Sequence, residues 1–291
     1  MADAADIHPN MRAEQAFQAI AGRCVERFRR HLAELRQSWD AEALHQARVG
    51  LRQLLAAFSL FRPMIGDDAF PALRDRSKAV VGFLGEARDL DIILEAARQP
   101  DLPAVRSAVS RLRPHRYADL MRRLEEAGNP DLAEDLQEWI EHGAWRTCHQ
   151  DLRHERLRRF AVRRLDRKLR KFRKRSRHLD SLAPRPRHKV RIAAKQLRYG
   201  FEFLAPLAKG PKARARWKQL VEPLKEMQDA LGKLNDMRSE TRIAPRIARE
   251  SRSAAFAAGR FMGAEHARAA ALLRQAAKAA RRLRRRQLFW R

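Results

Sequence analysis

Glycine, proline and aromatic residues are scarce in this 291-residue chain, which has 12 Gly, 13 Pro and 7% aromatic side chains. A β-sandwich or β-barrel needs more turn residues and more aromatic side chains, so the composition argues against both. Only two cysteines are present, Cys24 and Cys148, and no Cys-x-x-Cys pair occurs. We therefore expect no disulfide framework and a reducing compartment.

Long apolar runs are also absent. No stretch approaches the ~20 apolar residues of a membrane span. The first residues lack the basic and apolar segments of a secretory signal. We therefore expect a cytoplasmic protein with no membrane partner.

Acidic residues are scarce in one half only. Residues 1–149 carry 21 Lys or Arg and 23 Asp or Glu, whereas residues 150–291 carry 42 and 12. The net charge of +28 therefore lies in the second half and predicts a polyanionic partner: nucleic acid, an anionic membrane or a phosphate polymer. Of the cations, 51 are Arg, whose planar fork matches phosphate oxygens. Genome base composition also raises an Arg count, but it does not explain the placement of individual residues.

The abundant residues are Ala, Leu, Arg and Glu, which is typical of a helical protein, and 45% apolar residues allow a core. Apolar side chains recur at helical spacing along most of the chain, and no segment has the pattern of a strand. Proline and glycine at 100, 103, 128–130, 184 and 186 mark breaks. The predicted helices cover 12–36, 41–62, 69–97, 104–127, 131–147, 151–179, 187–205, 212–240, 246–262 and 264–287.

One helical segment occurs twice, at 45–63 and at 188–206. Each copy starts with His and has a cation at +3, another at +7, Phe at +13 and Pro at +18. An internal repeat indicates a repeated structural unit. A histidine with fixed cations, present in both copies, points to an anionic ligand.

Two further segments also occur in both halves. Residues 78–89 and 225–236 share Lys, Leu-Gly and Asp at identical spacing. The first helix of each half also aligns when positions are counted from the repeated His. Arg170, Arg173 and Lys174 then correspond to Arg27, Arg30 and His31. We therefore predict an all-α fold with two pseudo-symmetric helical bundles of long antiparallel helices, formed by internal duplication, over residues 1–149 and 150–291.

The cations of the repeated helix share one face. On a helical wheel, Arg48 and Arg52 lie within about 60° of His45, beside the apolar stripe that faces the core. No acid stands four residues away to pair with them, and like charges so spaced destabilise a helix. A solvated surface is the alternative, but the repetition favours a groove between helices. Neighbouring cations repel a metal ion, so no metal or other cofactor is expected.

The segment 151–179 is the most basic. From Arg153 to Arg177 it has 14 Lys or Arg and only two acids, yet it keeps an apolar stripe. This predicts a packed helix with a cationic outside, typical of helices that contact nucleic acid or a membrane surface. Residues 278–286 form a second basic patch.

Taken together, these motifs resemble the CHAD family, the conserved histidine α-helical domain. The similarity rests on the two His segments, Leu84-Gly85-Glu-Ala-Arg88-Asp89, Leu231-Gly232-Lys-Leu-Asn235-Asp236 and the terminal Phe289-Trp290. It implies two pseudo-symmetric bundles, binding of inorganic polyphosphate and association with polyphosphate granules in bacteria. It also implies that cations from both bundles converge on one basic groove. The Glu-x-Glu-x-Lys motif of an often fused hydrolase domain is missing, which favours a stand-alone module.

The resemblance also implies a set of ligand contacts. Lys78 and Lys225 are weaker members of it, and Leu55 replaces the counterpart of Arg198, so the halves need not contribute equally. Asp89 and Asp236, at equivalent positions, are interpreted as groups that orient an arginine, with a plain surface carboxylate as the alternative. The phosphate contacts carried over by position are His45, Arg48, Arg52, His188, Arg191, Lys195 and Arg198, and the repeat alignment adds Arg27, Arg170, Arg173 and Lys174.

Three functions are compatible with these features. Non-catalytic polyphosphate binding requires only many charge-assisted contacts, and histidines beside the polyanion would strengthen it as pH falls from about 7 to 6. Nucleic-acid binding lacks an aromatic platform or a recognised motif, so at most weak non-specific binding is expected. A kinase or hydrolase with a phosphoacceptor histidine would need metal-binding carboxylates or a glycine-rich phosphate loop, and the sequence shows neither, which favours a protein that is not an enzyme.

Overall fold

The computed structural model describes residues 7–99, 102–126, 131–286 and 288. Within these ranges the protein is all-α, as predicted, and the described residues form no strand. Short 3₁₀ turns at Ala144–Arg146, Leu179–Ser181 and Ala205–Leu207 connect some of the helices. The helices are α1 (Ala13–Ser38), α2 (Ala41–Phe61), α3 (Phe70–Ala96), α4 (Pro103–Glu126), α5 (Leu132–His142), α6 (Gln150–Arg153), α7 (Leu157–Arg175), α8 (Pro184–Phe203), α9 (Gly210–Ala248) and α10 (Arg252–Arg284).

Helices α1 and α7 begin side by side. An isolated antiparallel bridge joins Arg12 and Arg156. The amide of Ala13 donates to the Glu155 carbonyl at 2.9 Å, and that of Leu157 donates to the Met11 carbonyl at 2.8 Å. Each helix thereby satisfies one of the amide groups that its first turn leaves without a partner. This bridge ties the two halves of the chain together.

The helices pack in the same order in both halves. Helix α2 lies against α1 and α3, while α8 lies against α7 and α9. The two His helices, α2 and α8, also contact each other across the halves. One apolar core runs through both halves, and Phe61 stacks on Phe160 with ring centroids 5.3 Å apart. The halves therefore share a core, while their division into two domains and their origin by duplication stay predictions.

A second, smaller core lies away from the His helices. It combines Leu90 and Ile93 of α3 and Val105 of α4 with Ile243 of α9 and Ala254 of α10. The ends of four long helices from both halves thus pack together, which holds α3 and α9 at fixed positions beside α2 and α8.

Several predicted helix boundaries were wrong. The segment 151–179 is interrupted at 154–156. Residues 246–248 of the predicted helix 246–262 belong to α9, and its residues 252–262 are continuous with the predicted helix 264–287 in α10. Pro184 and Pro186 stand in the first turn of α8, where a missing amide hydrogen costs little. Helix α9 continues through Pro223 and Pro245, because packing against α8 and α10 outweighs the local cost of proline. The Gly128-Asn129-Pro130 break and Phe289-Trp290 lie outside the described residues.

No helix in the described ranges is long and apolar enough to cross a membrane.

Candidate functional site

A groove of about 1060 Å³ opens between α2, α3, α7 and α8. Its lining contains many cations and two histidines, and no carboxylate lines it among the residues that the structure describes. The lining cations are Arg48, Arg52, Arg62, Arg74, Lys78, Arg164, Arg167, Lys168, Lys171, Arg175, Arg191 and Lys195, and the histidines are His149 and His188.

Arg48 and Arg191 occupy equivalent positions on the two His helices. Both side chains are largely buried, and the Nε atom of each is buried without a hydrogen-bond partner. Burial, together with nearby Arg52, lowers the pKa of Arg48 to about 10, and the pKa of Arg191 is lowered for the same two reasons. A buried donor without a hydrogen-bond partner destabilises the free protein, and an anion that accepts hydrogen bonds from both arginines would remove this cost.

Gly85 explains how the Arg48 side chain fits against α3. A Cβ atom at this position would lie 3.1 Å from Nη2 of Arg48 and 3.4 Å from its Nε. Glycine therefore lets the guanidinium rest close to the α3 backbone. The equivalent Gly232 on α9 has nothing within 4 Å of such a Cβ, so the two halves differ here.

Lys195 lies among three arginines of the groove. Burial lowers the pKa of Lys195 to about 6, with further lowering by Arg52, Arg191 and Arg48. The amine therefore loses its proton more easily than that of an exposed lysine. A bound polyanion would offset the repulsion from the arginines and favour the protonated amine.

Asp89 and Asp236 act on the same arginine pair. Both carboxylates raise the pKa of Arg48 and that of Arg191. Burial raises the pKa of Asp236, and Asp89 raises it further. The structure therefore brings the two predicted aspartates together beside Arg48 and Arg191, and their orienting role stays a prediction.

Helix α7 forms one wall of the groove. Arg164 donates from Nε to the Leu60 carbonyl at 2.8 Å, and Nζ of Lys168 donates to Oγ of Ser59 at 2.6 Å. Burial, and then Arg164 and Lys171, lower the pKa of Lys168 to about 8. These bonds fix α7 to the end of α2. The wall residues lie on one side of α7 and are Arg164, Arg167, Lys168, Lys171 and Arg175.

The repeat alignment selected a different side of α7. Arg170 and Lys174 are exposed and do not line the groove, and Arg173 donates to the Arg286 carbonyl at 2.8 Å. Arg27 also lies outside the groove and donates to Oε1 of Gln53 at 3.2 Å. These four residues lie outside the groove lining, and their role as phosphate contacts stays a prediction. Both sides of the α7 apolar stripe are cationic, and the sequence alone does not indicate which side faces α2 and α8.

Two other predicted contacts are engaged elsewhere. Arg198 forms an ion pair with Glu202 at 2.6 Å and donates to Oε1 of Gln228 at 2.8 Å, so it does not line the groove. The exposed Lys225 lies 3.9 Å from Glu222 and is also outside. Each has a carboxylate within four residues along its own helix, which the groove cations of α8 lack.

The two repeated histidines differ. His188 lies at the groove rim and is exposed. His45 lies outside the groove lining, and burial followed by Arg88 lowers its pKa.

The edge contributed by the first half is partly neutralised. Asp75 pairs with Arg74 at 2.9 Å and with Lys78 at 2.8 Å. Arg62 stacks over the Phe70 ring at 4.5 Å. The α7 wall is therefore the more strongly cationic side of the groove.

The fold and this site define an all-helical protein with a cationic groove between two histidine-bearing helices. The family model described as "CHAD domain" matches residues 19–245. The chain belongs to the CHAD domain family, as the sequence motifs indicated.

Two solved structures have a similar fold. The crystal structure of the CHAD domain from the plant Ricinus communis matches this chain with a TM-score of 0.82 and 25% sequence identity. The match covers 99% of this chain and 98% of the plant chain. PptA from Streptomyces chartreusis shares the fold, with a TM-score of 0.61, 16% identity and coverage of 93% and 100%. No curated protein sequence matches the chain significantly.

Proposed function

We propose that this protein binds inorganic polyphosphate, without catalysis, in the groove between α2, α3, α7 and α8. The observation that carries the proposal is the groove lining, which has twelve Lys or Arg and, in the described part of the chain, no carboxylate. Each cation offers a charge-assisted contact to phosphate oxygens. Membership of the CHAD family supports polyphosphate as the polyanion.

The shape of the site favours a linear phosphate chain over duplex nucleic acid. The cations lie inside a cleft between packed helices, and Arg48, Arg191 and Lys195 are deep in it. A flexible single chain can reach these groups, whereas a duplex contacts proteins through outward surfaces or through elements that enter its grooves. Nucleic acid is therefore expected to compete weakly.

The composition of the groove lining favours binding of polyphosphate over phosphoryl transfer. Transfer usually needs carboxylates that hold a metal beside the phosphates. Asp89 and Asp236 act on Arg48 and Arg191, but neither lines the groove. We further propose that binding takes place in the cytoplasm and directs the protein to polyphosphate granules.

A competition titration tests the proposal. Protein holding labelled long-chain polyphosphate at about 0.15 M salt would be challenged with duplex DNA, single-stranded RNA and orthophosphate. We expect the polymer to resist all three, with no release of phosphate from it. Equal competition by DNA or RNA would contradict the assignment of polyphosphate as the preferred ligand.

Two variants with equal charge loss locate the site. The groove variant carries Arg52→Gln, Arg167→Gln, Lys171→Gln and Arg175→Gln. The distal variant carries Arg36→Gln, Arg106→Gln, Arg246→Gln and Arg249→Gln, all exposed and outside the groove lining. Losing four charge-assisted contacts should weaken binding about a hundredfold or more in the groove variant. The distal variant should change it less than about threefold at this salt.

A further inference from the structure

Helix α7 presents a second row of cations that does not face the groove. On a helical wheel, Arg170 and Lys174 lie about 40° apart and about 95° from the centre of the groove-wall row, and Arg177 lies in the turn that follows α7. All three are exposed. The groove does not use them.

The end of α10 meets α7 beside this row. Arg284 donates to the Ser176 carbonyl at 3.0 Å, and Arg173 donates to the Arg286 carbonyl at 2.8 Å. Arg177 and Arg281 line a common depression of about 390 Å³ between the two helix ends. The cations of the two helices therefore belong to one surface.

Helix α10 adds a regular row to that surface. Arg274, Lys278, Arg281 and Arg285 follow each other at intervals of four, three and four residues, so they share one helix face. All four are exposed, and the row extends over about 16 Å. Arg281 has a nearby carboxylate, Asp180 at 3.7 Å. The outer basic surface is defined as Arg170, Lys174, Arg177, Arg274, Lys278, Arg281 and Arg285.

We propose that the outer basic surface binds a second segment of polyphosphate, so that one protein molecule connects two polymer segments. The inference rests on the proposed function of the groove and adds a second site to it. Seven exposed cations on one surface repel each other unless a polyanion covers them. None of the seven lines the groove, so both sites can be occupied at once.

The two sites differ in how they hold the polymer. The groove surrounds its ligand with partly buried cations, whereas the outer surface is open to solvent. Exposed contacts to a single strand lose affinity as salt rises, by about sevenfold per doubling of salt for four contacts. The second segment should therefore dissociate first in a salt titration.

Counting bound chains tests the proposal. The outer variant carries Lys174→Gln, Arg177→Gln, Lys278→Gln and Arg285→Gln, which matches the groove and distal variants in charge. A polyphosphate of about 15 units would be titrated at about 0.05 M salt by calorimetry, with native mass spectrometry to count chains per protein. We expect two chains for the wild type and the distal variant, and one chain each for the groove and outer variants.

The outcomes separate the two proposals. If the wild type binds one chain, which the outer variant keeps and the groove variant loses, the outer site is wrong and the groove proposal stands. If the wild type binds no polyphosphate, both are wrong. If a 20-base-pair DNA displaces the second chain completely at equal phosphate concentration and leaves the first, the outer surface is a nucleic-acid site and the assignment to polyphosphate is overturned.

Light scattering with long-chain polyphosphate gives an independent measurement. A protein with two sites should cross-link polymer chains, so scattering should rise with the wild type and the distal variant. It should fall at least about fivefold with the outer variant, while tight binding of the polymer is retained. Scattering equal to that of the wild type would overturn the proposal.

Discussion

Helices α2 and α8 start the same motif with His45 and His188, yet only His188 lines the groove. Seven residues later Arg52 and Lys195 both line it, but ten residues later Leu55 lines it while Arg198 is paired with Glu202. The two copies thus agree at +3 and +7, where all four cations line the groove, and differ at the histidine and at +10. Position relative to the partner helix, more than residue type, determines which cations reach a ligand.

Substitution of Arg48 or Arg191, the buried arginines at equivalent positions of α2 and α8, should have the largest effect on polyphosphate binding. Arg48→Gln and Arg191→Gln each remove a buried cation whose Nε lacks a partner, so each should weaken polyphosphate binding about tenfold to a hundredfold. Calorimetric titration measures this, with Arg106→Gln as an exposed control. A large loss in only one of the two would show that the halves do not contribute equally.

Lys195 should give the binding its pH dependence. Its pKa of about 6 in the free protein rises beside a polyanion, so binding takes up a proton above that pH. Affinity should therefore fall as pH rises from about 6 to 8, by at most about tenfold per pH unit for one proton. Titrations in buffers of different ionisation enthalpy measure the uptake. Lys195→Met should reduce it, and an unchanged proton uptake in that variant would assign the effect to Lys168 or His188.

Gly85 and Gly232 form a matched pair for comparing the halves. Gly85→Ala places a methyl group against the Arg48 guanidinium and should weaken polyphosphate binding severalfold. Gly232→Ala meets open space, so it should leave binding unchanged and stabilise the fold by about 0.5–1 kcal/mol through helix propensity. Urea unfolding and ligand titration separate the two effects. Equal loss of binding in both variants would contradict the asymmetry between α3 and α9.

The two histidines should have the smallest effects. His188→Gln removes a group at the groove rim and should lower affinity about twofold to threefold below pH 6.5. His45→Gln should change affinity less, because His45 is outside the lining and its pKa is lowered. A larger loss for His45→Gln, with the fold intact by circular dichroism, would mean that the first histidine contacts the ligand.

The sequence was a good guide wherever short-range spacing determined the outcome. The all-α class follows from helical periodicity, and the position of Arg48, Arg52, Arg191 and Lys195 in one groove agrees with what the CHAD resemblance implies. The predicted start of α8 was wrong, because Pro184 and Pro186 were interpreted as a break. Proline is tolerated in the first turn of a helix, where both residues lie.

The sequence was a poor guide where helix orientation determined the outcome. Cations flank the apolar stripe of α7 on both sides, so the wall residues Arg164, Arg167 and Lys171 could not be distinguished from Arg170 and Lys174. Only packing against α2 and α8 selects the side that faces the groove. A carboxylate four residues from Arg198 did signal that this arginine was engaged, and that signal was present in the sequence.

A crystal structure with a bound linear polyphosphate tests the central claim most directly. We expect a chain of phosphates in the groove, with oxygens about 3 Å from the guanidinium groups of Arg48 and Arg191 and from Nζ of Lys195. Phosphates found only on the outer basic surface, with no phosphate near these three groups, would contradict the account.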